Sequence, residues 1–322
     1  MTFDFRHQQV VCLFSEGTQA EAPSSWADRR RRRAVLFEES LAHAAARTLF
    51  GAGRALHPCR IADLPFMLAL LLRRPKTLCA GLPDPRQAAR RPDGFCGLAG
   101  DLSAARLMEA YARGLYPKAY AGPLKYWAPA QRMVVDPGNA RMPDSLRGQL
   151  RRGALEVTFD RDFDAVVAAC AKAEETLWRP CWMSPKIKHA YAALHDAGYA
   201  HCFEVRQPDG KLVAGGFGVA VGRVFVSESM FGEHRHQRDL GLTVLNRHLA
   251  LWGFAMHDAK TQVIDDFGFA PIARQTYQEQ LATLLGGGRP GRWRVDPALG
   301  GAGRPREPAE EFRRGLRVVH SA

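Results

Sequence analysis

The sequence predicts a mixed α/β (α+β) protein, and three observations carry that prediction. After residue 94, segments with helical spacing of apolar residues alternate with short apolar strands. The turn "PDGK" at 208–211 separates two runs of alternating side chains, as a β-hairpin requires. Glycine and proline fall at the ends of the periodic segments, where they stop helices and open turns.

Residues 1 to about 35 are polar and end in five arginines, a pattern that reads as a solvated, flexible arm. From 36 to about 75, "AVLFEESLAHAAARTLF" and "IADLPFMLALLLRR" have helical spacing. "GLPDPRQAARRPDG" at 81–94 reads as a linker. In "DLSAARLMEAYARGLYP", Asp101 and Ser103 can cap a helix that Gly114 ends, with Leu107, Ala110, Tyr111 and Leu115 on one face. "LKYWAPAQRMVVD" predicts a strand or loop pair. "ALEVTFDRDFDAVVAACAKA" predicts a strand, then a helix with Asp162 or Asp164 in its first turn. "SPKIKHAYAALHDAG" is a helix ending at Gly198, and the hairpin arms follow, continuing into "GRVFVSESMF". Then come the helix "DLGLTVLNRHLALWGF", the strand "AMHDAK" and the helix "ARQTYQEQLATLL". Such an order makes a mixed α/β layer with its site at strand ends. Residues from about 286 onward are Gly- and Pro-rich and read as a disordered tail; no internal repeat is visible.

Lys plus Arg number 45 against 33 Asp plus Glu, a formal net charge of +12. That balance favours a polyanionic partner, although Arg-rich coding alone also produces it. Seven cysteines (Cys12, Cys59, Cys79, Cys96, Cys170, Cys181, Cys202) show no metal-ligand spacing, so no metal and a reducing, cytoplasmic setting are expected. The longest apolar run, "FMLALLL" at 66–72, is too short to span a bilayer, and the N-terminus shows no export signal. No membrane partner is expected.

Two acids stand out on apolar strands: Glu228 in "VSESMF" and Asp258 in "GFAMHDAK". A lone strand carboxylate is costly to bury without a partner. The plainer partner for Glu228 is an arginine; the functional one is a substrate ammonium in an apolar pocket lined by Phe225 and Met230, with Ser227 and Ser229 as donors. Asp258 ends its strand, as a catalytic acid or as a cap. Trp127 and Trp182 each precede a proline closely and suit base stacking or plain core packing. Arg132, Lys186 and Lys188 suit phosphates. "RDLGLT" at 238–243 is a weak match to a phosphate-cradling loop of acyl-CoA enzymes, with Thr243 in place of a small residue.

In order, "PDGFCGLAGDLSAARLMEAYARGLYP", "YWAPAQRMVV", "VTFDRDFDAVVAACA", "WMSPKIKHAYAALHDAGYAHCFEV", "KLVAGGFGVAVGRVFVSESMF" and "GFAPIAR" resemble the leucyl/phenylalanyl-tRNA–protein transferase family over about Pro92 to Leu285. The resemblance implies a GNAT-like acyltransferase domain behind a smaller N-terminal domain. The division is then an extension (1–90, partly disordered and partly helical), a small subdomain (91–150), a catalytic domain (151–285) and a tail (286–322). It implies transfer of Leu or Phe from aminoacyl-tRNA to proteins beginning with Lys or Arg, which marks them for degradation, with no cofactor. The aminoacyl ester is already activated, so such an enzyme orients an amine, stabilises an oxyanion and moves one proton. By position Asp258 matches the family's catalytic aspartate, Glu228 the glutamate of its "GESMF" segment, and Trp182 an aromatic near the tRNA 3′ adenosine. Trp127, Lys118, Arg132 and Arg238 complete the expected 3′-end contacts. Glu228, Phe225, Met230, Gly216 and Ser227 form the expected pocket for donor and acceptor.

Four changes depart from the family pattern. Lys118 stands where a Trp would stack on the adenosine, and Gly216 replaces a bulky apolar residue, which should widen the pocket. Arg238-Asp239 replaces Ser-Lys, and Lys260 replaces Gln. Lys260 either donates to the oxyanion or pairs with Asp258. Two other classes compete: an acyl-CoA N-acyltransferase using "RDLGLT", and a non-catalytic relative that binds tRNA or N-terminal Lys/Arg.

Overall fold

The computed structural model describes residues 26–55, 61–72, 81–119, 124–142, 146, 155–175, 181–287 and 293. Two sheets organise them. A small antiparallel sheet has the order β1–β3–β2, from β1 (Phe95–Leu98), β2 (Tyr116–Lys118) and β3 (Lys125–Trp127). The large sheet holds seven strands in the order β10–β4–β9–β8–β7–β6–β5. These are β4 (Gln131–Val135), β5 (Glu156–Phe159), β6 (Ala200–Arg206), β7 (Leu212–Val221), β8 (Val224–Gly232), β9 (Met256–Asp258) and β10 (Ala270–Ala273). All neighbours run antiparallel except β8 and β9, which are parallel. The expected mixed α/β class and the hairpin at 208–211 are therefore present, with Gly210 supplying the positive φ its turn needs. β4 lies within the stretch 91–150 yet belongs to the large sheet.

The α-helices among the described residues are α1 (Trp26–Phe37), α2 (Leu41–Ala55), α3 (Leu64–Leu72), α4 (Ala104–Ala112), α5 (Phe163–Glu174), α6 (Pro185–Asp196), α7 (Arg235–Leu251) and α8 (Arg274–Leu284), with short 3-10 turns at Pro85–Gln87, Pro137–Asn139 and Asp265–Phe267. Ser103 caps α4 by accepting from the Arg106 amide, and Asp162 caps α5 through Ala165. α5, α6 and α8 bury Val166, Ile187, Tyr191, Tyr277 and Leu281 on one face of the large sheet. α7 makes the crossover that the parallel pair β8–β9 requires, and buries Leu242, Leu245 and Leu249 on the other face.

The N-terminal arm differs from expectation, and in the tail Trp293 is placed; residues 1–25, 288–292 and 294–322 lie outside the described residues. The arginine run is helical and docked: Arg32 donates to Asp162 at 2.5 Å, while Arg33 pairs with Asp164 at 2.8 Å and with Asp196. Phe37, fully buried, closes the same helix against the core. Three aspartates at the adjoining ends of α5 and α6 thus hold a segment that composition alone marks as a solvated arm. Within the tail, Trp293 is 2% exposed, stacks on His201 at 3.8 Å and donates its amide to Asp160 at 2.7 Å. An apolar side chain large enough to seal the second core outweighs the glycine-rich context around it.

Candidate active site

The strand β8 carries a bulge. Phe217 of β7 pairs with Ser229 and Gly218 with Ser227, so Glu228 is an extra residue. The bulge sends Ser227 and Ser229, which regular alternation would put on one face, to opposite faces. Ser227 hydrogen-bonds His257 at 2.7 Å on the α7 face, while Ser229 donates to Glu174 of α5 at 2.6 Å. Glu228 points toward α4 and α6. Its Oε1 accepts from Tyr111 at 2.9 Å, and its Oε2 accepts from Tyr191 at 2.7 Å and from the Lys260 ammonium at 2.9 Å.

Lys260 sits just past β9 with φ +59°, a left-handed turn that brings its chain back over the sheet. Its Nζ also donates to the Glu228 carbonyl at 2.9 Å, and its amide donates to Asp258 Oδ1 at 2.7 Å. Asp258 is completely buried and receives Arg132 through both oxygens, Nε at 3.2 Å and a close Nη2 contact. Arg132 donates as well to the Gly114 carbonyl at 3.2 Å and lies 4.5 Å from the Tyr277 ring centre. Gly114, with φ +77°, is the turn that ends α4, so the helix stop and the buried guanidinium are one construction.

The charges are thus arranged as two buried acid–cation pairs joined through Lys260. Burial works against the Arg132 charge, but Asp258 beside it holds the guanidinium's pKa above its usual value. Burial lowers the Lys260 pKa, with Glu228 pulling the other way. Burial, with Glu228 next, raises the pKa values of Tyr111 and Tyr191 well above normal, so both remain hydroxyl donors. On the opposite face burial pushes His257 down to about 3, and this neutral imidazole bridges Ser227 and Asn246, the latter at 2.6 Å.

Trp182 extends the array. It is 7% exposed and edge-on to Tyr191 at 6.5 Å, with the Lys118 ammonium 5.7 Å from its ring centre. Its indole N–H is buried without a hydrogen-bond partner among the described residues. Trp127 lies beside it through Lys118, whose carbonyl accepts from the Trp127 indole at 2.9 Å.

The chain's sequence is similar to those of known proteins. The family described as leucyl/phenylalanyl-tRNA protein transferase matches residues 134–282. A leucyl/phenylalanyl-tRNA–protein transferase of Thiobacillus denitrificans is 36% identical over 229 residues, covering 70% of this chain and all of that protein. One from Aromatoleum aromaticum is 39% identical over 226 residues, covering 68% and 94% of the two chains. The chain belongs to the leucyl/phenylalanyl-tRNA–protein transferase family. It is an enzyme, an aminoacyltransferase. Among solved structures, an N-acetyltransferase region of a fungal β-N-acetylglucosaminidase is matched over 62% of this chain and 23% of that one, at 12% identity and a TM-score of 0.30.

In this transferase the structure brings together Glu228, Lys260, Asp258, Arg132, Trp182 and Lys118. Several expectations are corrected. Glu228 and Asp258 meet the chain's own Lys260 and Arg132 rather than an open pocket, and Lys260 pairs with Glu228 instead of Asp258. Arg132, 2% exposed, is no phosphate contact. Phe225, Met230 and Ser227 lie on the α7 face, away from the Glu228 carboxylate: Phe225 and Ser227 by ordinary strand alternation, and Met230 because the bulge shifts it by one residue. The space over Gly216 is filled: a β-carbon there would stand 2.5 Å from Met230 Cγ and 2.7 Å from Phe203 Cε1. Arg238 is spent on its neighbour Asp239 at 3.1 Å. "RDLGLT" lies inside α7, so its amides are committed to the helix and form no loop.

Sequence reasoning missed Tyr111, Tyr191 and Tyr277 as polar members of the array, and His257 with Asn246 behind it. The signal for the tyrosines was present. A buried helix face that carries Tyr where Leu would fill the space needs a partner for each hydroxyl.

Proposed function

We propose that this transferase moves Leu, Phe or a related residue from aminoacyl-tRNA to the N-terminal amine of proteins beginning with Lys or Arg, in the cytoplasm, as an N-degron tag. The observation that carries the reading is the Glu228–Lys260 and Asp258–Arg132 array beneath Tyr191 and Trp182, in a member of this family. In the reaction the acceptor amine forms a C–N bond to the ester carbonyl. The bond to the ribose oxygen of the terminal adenosine breaks, the amine loses a proton and the ribose oxygen gains one. Fixed charges that need no rearrangement suit a tetrahedral oxyanion in a dry site. In this reading Lys260 is the donor nearest that charge and Glu228 its counter-ion, while Asp258 and Arg132 are positioning residues beneath them. The partnerless Trp182 indole and the Lys118 ammonium receive the 3′ end. Residues 91–150, which lend β4 to the large sheet, and residues 151–285 serve as the subdomain and catalytic domain that share the site, with residues 1–90 added before them and 286–322 after.

No helix among the described residues is long and apolar enough to cross a membrane. The acyl-CoA reading loses its phosphate loop to α7 and is not retained.

The test is transfer of radiolabelled Leu, Phe and Met from charged tRNA to a peptide beginning with Arg, beside one beginning with Glu. Transfer to the Arg peptide that vanishes with Trp182→Ala supports the reading. Equal transfer to both peptides removes the acceptor preference, and no transfer from any donor removes the substrate assignment.

A further inference from the structure

The five arginines of α1 face two ways. Arg32 and Arg33 turn inward to Asp162, Asp164 and Asp196, which fixes the helix on the catalytic unit. Burial opposes the Arg33 charge, but the two carboxylates hold its pKa above normal, so the anchor stays charged. Arg30 and Arg31 remain exposed. A groove of about 900 Å³ opens along this helix, lined by Arg29, Arg30, Arg33 and, across it, His189 of α6. Anchoring the helix through Arg32 and Arg33 while Arg29 and Arg30 line a groove beside Arg33 concentrates positive charge at a fixed place, which a free arm does not do.

The position of the groove points to its occupant. α6 starts three residues after Trp182 and carries Lys186, Lys188 and His189 in its first five residues. At about 1.5 Å per residue, that stretch spans roughly 6 Å, less than two nucleotide steps. Lys186 and Lys188 therefore stand between Trp182 and the arginine groove, and the His189 ring, whose pKa burial and then Arg33 lower, walls the groove as a neutral side chain. We infer that α1 and the start of α6 form a docking surface for the RNA backbone behind the 3′ end of the donor tRNA. This rests on the reading that Trp182 meets the 3′ end. Residues before 90 then contribute directly to donor affinity.

The experiment compares the full chain with Arg30→Glu/Arg31→Glu and, as a charge-preserving control, Arg30→Lys/Arg31→Lys. Binding of uncharged tRNA is measured across a salt series, with transfer from a free aminoacyl-adenosine as internal reference. Loss of two phosphate contacts should weaken tRNA binding roughly tenfold at moderate salt and flatten the salt dependence by about two in log–log slope. The lysine variant should bind as the parent does. Unchanged affinity and slope in the glutamate variant overturn the proposal. An equal loss in both variants, accompanied by a lower melting temperature, also overturns it, because the arginines then act structurally. Loss of binding to phosphatidylglycerol vesicles with tRNA binding unmoved assigns the surface to lipid instead and overturns it as well. Binding of uncharged tRNA needs no chemistry, so a failure of the transfer reading appears only in the aminoacyl-adenosine arm.

Discussion

The Lys260 ammonium donates to both the side chain and the backbone carbonyl of Glu228, each at 2.9 Å, so the cation this buried carboxylate meets belongs to the chain itself. Removing either partner strands the other, but unequally. Lys260→Met leaves a carboxylate with only two tyrosine hydroxyls and should cost about 3–5 kcal/mol. Glu228→Gln leaves an ammonium whose pKa burial already depresses, so Lys260 can shed its proton and the cost should be smaller. In that variant the unfolded chain binds more protons than the folded one, and stability should rise as pH increases from 7 toward 10. Urea denaturation of both mutants and of Lys260→Met/Glu228→Gln tests this. A double mutant no more stable than Lys260→Met would sink the pairing argument.

Arg132 and Asp258 form the second pair, with three further Arg132 contacts to Gly114 and the rings of Tyr116 and Tyr277. A lysine has neither the planar fork nor the ring stacking to replace these. Arg132→Lys is therefore expected to lose nearly as much stability as Arg132→Met, about 3–5 kcal/mol. The same cost applies to Asp258→Ala, so loss of transfer in that variant counts as catalytic only where circular dichroism shows a native fold. Recovery of stability in Arg132→Lys to the parent level would contradict this account.

These pairings mark where sequence reasoning stops. Gly114, the "PDGK" turn and the caps at Ser103 and Asp162 act over two to four residues, so their signals sit together in the chain and the helices and hairpin follow from them. Which cation serves which acid depends on positions 126 and 32 residues apart brought face to face by strand order. The bulge at Glu228 is invisible in a pattern of alternating residues, and it moves Met230 off the acid's face; Phe225 and Ser227 are off it by ordinary strand alternation. The docked arginines depart from the expected arm for a related reason: composition averages over a segment, whereas three facing aspartates decide its place.

His257 should make stability fall in mild acid. Burial holds its folded pKa at about 3, whereas an unfolded histidine titrates near ~6.5. Between those values the unfolded chain binds the extra proton, so stability decreases as pH drops through that window. At pH 5 the loss is about 2 kcal/mol relative to pH 7, from ~1.36 kcal/mol per unit below the unfolded value. His257→Gln, which lacks this titration, should show a shallower fall in urea midpoint between pH 7 and 5 than the parent. Parallel curves would mean that His257 is already charged in the fold.

Gly216 offers the sharpest contrast between an open pocket and a packed one. It stands opposite Met230 on β8, and an added β-carbon would meet Met230 Cγ at 2.5 Å and Phe203 Cε1 at 2.7 Å. Met230 is partly exposed and flexible, so it can move. Phe203 cannot, because it is 2% exposed and its ring also covers Gly241, where a β-carbon would lie 2.4 Å away. Gly216→Ala should therefore cost about 1–3 kcal/mol through overpacking, and Met230→Ala in the same chain should restore only part of it. The ratio of Leu, Phe and Met transferred should not change, since the side chain would press into the α7-side core and not toward Glu228. If Gly216→Ala is as stable as the parent and shifts that ratio, Gly216 faces the donor after all.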